Sequence, residues 1–272
     1  MSEFSDGRGA GVLIDWNSPW LAPYRRVGEP VGRQIEIGVS VVDALNQALL
    51  EDRPEASGMP RCFVAQQSLP PGEPYEAFIA RTGCVPTREN AHDLFNGLAW
   101  LVHPALKARL NALQVEQLER TGVGAVRGVV RDTLTLFDEN AAWLQAPASL
   151  IDALRRRDWP TLFVTRRALW TEARLELFGH ALLEKLLQPR KAITAHVWVV
   201  PCGDSDPAAW LAGRLDADSL VARPWLPLPV LGVPGWWNSN RHPDFYDDEA
   251  VFRPPQQHLK TVGTTAQPRL GL

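Results

Sequence analysis

The sequence predicts an α+β fold, mostly helical, with a small antiparallel sheet and a long irregular C-terminal strap. Three observations predict it. Apolar residues recur at helical spacing in several segments bounded by proline or glycine, and a few short runs alternate and are rich in β-branched residues. Beyond Pro224 the chain mixes prolines, glycines and aromatics with neither period. The 272 residues, 45% of them apolar, suit one core. The chain therefore reads as a single domain over 1–272, with a helical and sheet body at 16–223 and the strap at 224–272.

Element by element, Ser18 before Pro19 reads as a helix start, closed after Arg26 by Gly28 and Pro30. Val41, Val42, Leu45, Ala48 and Leu49 mark a helix to Leu50, Arg61 to Gln66 a strand, and Pro74 to Thr82 a helix stopped by Gly83. Thr87 offers an N-cap for a helix from Arg88 to Leu101, and Pro104 opens another that ends at Gly122 and Gly124. Thr133 to Phe137 and Ala142 to Gln145 flank the polar turn of Asp138, Glu139 and Asn140, which predicts a hairpin. Pro147 to Arg157 reads as a helix, followed by a short one after Asp158 and Pro160 and a long one from Ala168 to Leu187. Ala192 to Val200 reads as a strand, and Asp206 with Pro207 as a helix start running to Leu215 and on to Val221.

Composition removes several function classes. A net charge of −3 supplies no global field for nucleic acid or an anionic membrane. No uncharged stretch is long and unbroken enough to span a bilayer as a helix, because Pro224, Pro227, Pro229 and Pro234 interrupt the longest. Cys62, Cys84 and Cys202 lack CxxC spacing and are odd in number, which fits a reducing compartment. With no basic, then apolar, leader at the N-terminus, the expected location is cytoplasmic. Arginine outnumbers lysine 24 to 4, scattered as a GC-rich genome would scatter it, with one run at Arg155, Arg156 and Arg157.

The densest polar stretch is P-T-R-E-N-A-H-D-L-F-N, where Arg88, Asn90, His92, Asp93 and Asn96 fall within little more than two helical turns. His92 and Asn96 share a face at i and i+4. Such a set suits a base, an orienting carboxylate and anion donors, or equally a capping network. In F-G-H-A-L-L-E-K, His180 and Glu184 are again i and i+4. They offer two metal ligands without the second histidine of an HExxH zinc signature, and Glu172 and Glu176 make a solvated stripe the competing account. Gly179 argues against that stripe, since glycine inside an exposed helix signals close backbone approach. Lys191 and His196 flank the start of the following strand and complete the set, unless His196 merely bonds backbone at a strand edge.

No GxSxG, GxxxxGK[ST], GxGxxG or EF-hand loop is present, and Cys84 reads as a nucleophile or, more simply, as a small gap-filling hydrophobe. Asp244, Asp247, Asp248 and Glu249 form an acidic cluster that is simplest as a solvated surface. The expectation that emerges is a metal-assisted hydrolase acting on a phosphoester or similar anionic substrate. Its catalytic residues are His92, Asp93 and Asn96, its anion-binding residues Arg88, Asn90 and Lys191, and a divalent transition metal sits on His180, Glu184 and His196. The competing expectation is a non-catalytic interaction module that docks a protein partner through Trp236 and Trp237 in the proline-rich strap.

The strings V-P-T-R-E-N-A-H-D-L-F-N-G-L-A-W, K-A-R-L-N, T-L-F-D-E-N, F-G-H-A-L-L-E-K, V-P-G-W-W-N and F-Y-D-D, in this order from about Trp16 to Phe252, resemble the bacterial proteins catalogued as domain of unknown function 3025. The resemblance implies no reaction, cofactor or partner, so no functional residue carries over from it. Ala141 departs from the glycine often found at that turn in the family, which bears only on the expected hairpin.

Overall fold

In the computed structural model, residues 3–5, 11–51, 58–122 and 128–254 are described. The end of the strap at 255–272, the loop at Pro54 and the turn at Gly124 lie outside them. Strands β1 (Glu3–Ser5) and β2 (Gly11–Leu13) pair antiparallel. Ser18 and Pro19 start only a 3-10 turn, and helix α1 (Arg25–Glu36) begins later and runs through Gly28 and Pro30. The reason is burial: α1 turns Val27, Gly28, Val31 and Gly32 inward while Pro30 stays on the exposed face, where a missing main-chain donor costs least. A Cβ on Gly28 would lie 2.3 Å from the Trp16 ring, so only glycine lets the helix approach this closely.

Helix α2 (Val41–Glu51) and strand β3 (Cys62–Ala65) follow as expected, and so does α3 (Tyr75–Thr82), closed by Gly83 in the left-handed region at φ 72°. Strand β4 (Cys84–Thr87) pairs parallel with β3 in a register that sets Cys62 against Cys84, Cα atoms 4.8 Å apart, and the two form a disulfide. That corrects the expectation of unpaired thiols. The two cysteines are remote in sequence, and only the strand register makes them neighbours. Cys84 is accordingly no free nucleophile, and Cys202 remains the free cysteine among the described residues.

Helices α4 (Ala91–Val102) and α5 (Pro104–Thr121) form the expected tandem. The expected hairpin at 133–145 is not there: Thr133 to Asn140 belongs to helix α6 (Val129–Asn140), and only the second run is a strand, β5 (Ala141–Gln145). Thr133, Leu134 and Phe137 are all buried at helical spacing, a period that outweighs their β-propensity. Helix α7 (Ala148–Arg155) leads to a single π-helical turn at Thr161–Thr165. The expected long helix at 168–187 is also corrected, into a 3-10 turn at Arg167–Glu172, strand β6 (Arg174–Leu177) and the short helix α8 (His180–Lys185). Here edge-on pairing with β5 prevails over the local helix preference. Glu176 is thereby not part of a solvated stripe but is buried, its Oε1 3.0 Å from His103 Nε2.

Strand β7 (Thr194–Val199) pairs parallel with β5, and two short helices, α9 (Pro207–Ala212) and α10 (Ala217–Val221), are capped by Asp206 and Asp216. Regular structure does not cease at Pro224: strand β8 (Leu226–Pro229) joins the sheet, giving the mostly antiparallel order β6-β5-β7-β8. Pro227 and Pro229 are tolerated because β8 is the edge strand. The fold is thus α+β. Among the described residues no helix is long and apolar enough to cross a membrane.

Candidate active site

The first half of the site is built on α4. Asn90, extended at φ −149°, caps the helix by accepting from the Asp93 N–H at 2.8 Å, the role the sequence assigns to Thr87. Thr87 instead ends β4 and donates its hydroxyl to the Val85 carbonyl. Asp93 accepts from the Arg88 main-chain N–H at 2.6 Å and from its guanidinium at 3.0 and 2.9 Å. These two expected site residues therefore build the helix entrance, with the Asn90 side-chain oxygen spent on the cap. One turn on, His92 and Asn96 share the face predicted for them, and both line a cavity of about 440 Å³ bounded by α3, α4, α5, α6 and α8.

The second half comes from α8, which starts where Gly179 passes the end of α6. A Cβ on Gly179 would sit 2.4 Å from both the Asn140 nitrogen and the Glu139 carbonyl oxygen, the close approach that this glycine signals in the sequence. The approach brings His180 Nε2 to 3.0 Å from His92 Nε2. The ring of one stands edge-on to the other, centroids 4.5 Å apart. Each imidazole has a carboxylate behind it: Glu184 Oε2 lies 2.8 Å from His92 Nδ1, and Asp138 Oδ2 lies 3.7 Å from His180 Nδ1.

Protonation follows from these neighbours. Glu184 raises the affinity of His92 for its proton, against the opposing effect of burial. Burial pushes His180 down to about 4, helped by the positive charge of Lys107 and of His92 and resisted by Asp138. His180 is then neutral at neutral pH, and the proton between the rings belongs to His92. When His92 carries both protons it donates from Nδ1 to Glu184 and from Nε2 to His180, whose own proton then sits on the buried Nδ1, which faces Asp138 at 3.7 Å without a hydrogen bond. Removing the shared proton would set two lone pairs face to face, or turn a bare Nδ1 toward a carboxylate. In that state the pair holds one proton between its rings at the cavity wall.

Lys107, 4% exposed, extends the chain of contacts by donating to Asp138 at 2.6 Å and to Asn96 at 2.7 Å. Burial alone would raise Asp138, but Lys107 and the two imidazoles outweigh it and hold the carboxyl below its ordinary value. Asn96 in turn donates to the Tyr75 hydroxyl at 3.0 Å, and burial raises Tyr75, so it stays a neutral donor. Three donors remain for a ligand: the third N–H of Lys107, the Tyr75 hydroxyl and the outer guanidinium N–H groups of Arg88, which is 57% exposed.

The expected set is thus assembled in part. His92, Asn96, Arg88 and His180 meet, with Glu184 behind His92. His196 stays on β7, its Nδ1 3.2 Å from Asn140 Nδ2 and its ring 5.6 Å from Trp225, and it does not line the cavity. Lys191 is elsewhere too, 3.1 Å from Asp248 and over the Phe245 ring. The ligand set His180, Glu184 and His196 is therefore corrected: Glu184 faces His92 Nδ1 and His196 lies apart. Among the described residues no group of three or more His, Cys, Asp or Glu is arranged to hold a metal ion. Trp236 packs on Trp20 with centroids 6.2 Å apart, and both Trp236 and Trp237 lie half-buried against the main core.

Tyr75, Lys107 and Asp138 complete the site without having been singled out for it in the sequence. A signal existed for Lys107, one of only 4 lysines beside 24 arginines and one set within a helix stripe. Fold and site together define an α+β protein with a histidine pair at the wall of a polar cavity. The family model described as "Protein of unknown function (DUF3025)" matches residues 62–256, and the chain belongs to that family. The match spans every residue of the site. No curated protein and no solved structure matches the chain.

Proposed function

We propose that the protein is an enzyme that hydrolyses a small phosphoester or similarly anionic substrate by acid–base catalysis at the His92–His180 pair. The observation that carries this reading is the 3.0 Å approach of two Nε2 atoms from separate elements, each ring backed by a carboxylate, at the wall of a cavity large enough for a small molecule. The leftover donors of Lys107, Arg88 and Tyr75 are the groups that would hold the anion. The reaction balances within the chain's own side chains. The shared proton passes to the leaving-group oxygen as its bond to phosphorus breaks, water forms the new bond, and the water's proton returns to the pair.

A panel of chromogenic phosphate monoesters and diesters, assayed near pH 7, tests this. Wild type turns over at least one of them, and His92→Ala and His180→Ala each lower the rate by about 10²–10⁴-fold, the range general acid–base catalysis supplies. Circular dichroism checks that both variants stay folded. Absence of turnover across the panel, or undiminished turnover in a folded variant, overturns the proposal.

A further inference from the structure

We propose that a second pocket, between the β7–β8 edge of the sheet and the α9–α10 pair, binds a small organic anion with a flat aromatic body. The pocket encloses about 340 Å³, within the range of small-molecule sites, and shares no lining residue with the histidine cavity. Its walls are apolar and partly aromatic, from Trp198, Trp210, Leu211 and Leu226. Trp198 is held edgewise to Phe137, centroids 5.0 Å apart, and tilted against Trp225 at 6.1 Å, so the wall is rigid before anything binds. Flat rings gain most against such a surface, through offset or edge contact in addition to buried area.

The polar rim selects charge. Arg155 and Arg214 both line the opening. The Arg214 guanidinium stacks 4.0 Å from the Trp210 ring centroid, and among the described residues no carboxylate lies within ion-pair distance of it. Among the described residues Arg155 holds one ion pair, an exposed contact to Asp152 at 3.3 Å, which an incoming anion can displace. Ser219, the neutral hydroxyl at this rim, is spent on the capping box of α10. Recognition therefore falls to two guanidinium groups, whose planar forks match a carboxylate or phosphate. The arginine run at 155–157 thus acquires a place, since its first member faces the opening.

Tryptophan fluorescence titrations of the full chain with 2-naphthoate, 2-naphthamide and 2-naphthylmethylammonium test the proposal, because the three probes share a ring and differ in charge. Naphthoate saturates and quenches, while the amide and the ammonium bind about tenfold more weakly or not at all. Arg214→Ala and Arg155→Ala, both at exposed positions, each weaken naphthoate by about tenfold, and His180→Ala leaves it unchanged. Equal binding of all three probes, naphthoate binding indifferent to both arginine substitutions, no saturable binding, or loss on His180→Ala would overturn it. None of these outcomes depends on turnover of a phosphoester.

Discussion

Two polar networks of this molecule use similar residues to opposite ends. In the strap, Asn240 is fully buried and completely spent: its amide donates to the Leu231 and Val233 carbonyls at 2.8 and 2.7 Å, and its side-chain oxygen accepts from Arg167 at 3.0 Å. Tyr246 closes the ring by accepting from Arg167 and donating to the Gly232 carbonyl. In the histidine cavity the contacts from Glu184 to Tyr75 are hydrogen bonds except at His180 Nδ1, which is buried without a hydrogen-bond partner and lies 3.7 Å from Asp138, and the network ends in donors without protein acceptors. A saturated network fixes structure, whereas one with leftover capacity beside a cavity is equipped to act on something. The first locks the strap to the body, and the second is the candidate site.

The comparison breaks if the two networks respond alike. Asn240→Ala should cost about 3–5 kcal/mol in denaturant unfolding, since it leaves Arg167 Nη2 and the buried Leu231 carbonyl without their Asn240 partners and removes one of the two donors to the Val233 carbonyl. Turnover per folded molecule should stay unchanged. A loss of turnover in the folded fraction would mean that the strap network belongs to the site.

A somewhat smaller effect separates the networks by pH. His180 titrates at about 4 in the fold and near 6.5 when unfolded, so between these values the unfolded chain binds more protons. Stability from this group is fully present above pH 6.5 and is lost as pH falls toward 4, up to about 3 kcal/mol. His92 works in the opposite sense, because its raised affinity contributes below pH 6.5 and is lost as pH rises through its higher folded value. Urea midpoints should therefore peak near neutral pH, and His180→Gln should flatten the acid side. An acid slope unchanged in that variant contradicts the assignment.

Much of the fold was legible where one period ran long enough. The stripes of α2, α4 and α5 and the alternation of β7 each announce an element of the right type. The hairpin at 133–145 and the helix at 168–187 misled because their local preference lost to contacts: Phe137 needed a helical position in the core, and Arg174 to Leu177 were recruited by β5. The site divides the same way. His92 with Asn96, and His180 with Glu184, declare themselves by helical spacing, and Gly179 by its awkwardness. Asp138 and Lys107 sit in ordinary amphipathic helices, and what makes them functional candidates is the neighbour each meets across the cavity. His196 and Lys191 are near the site in sequence only.

The most direct test is long-range nitrogen–proton NMR of the ¹⁵N-histidine-labelled protein across pH 4 to 8, with His92→Gln and His180→Gln supplying assignments. Near pH 7, His180 should be neutral with its proton on Nδ1 and Nε2 unprotonated, titrating well below 6, while His92 titrates above 6.5. Two histidines titrating independently near 6.5, or a His180 protonated on Nε2 at neutral pH, would contradict the shared proton on which the proposed chemistry stands.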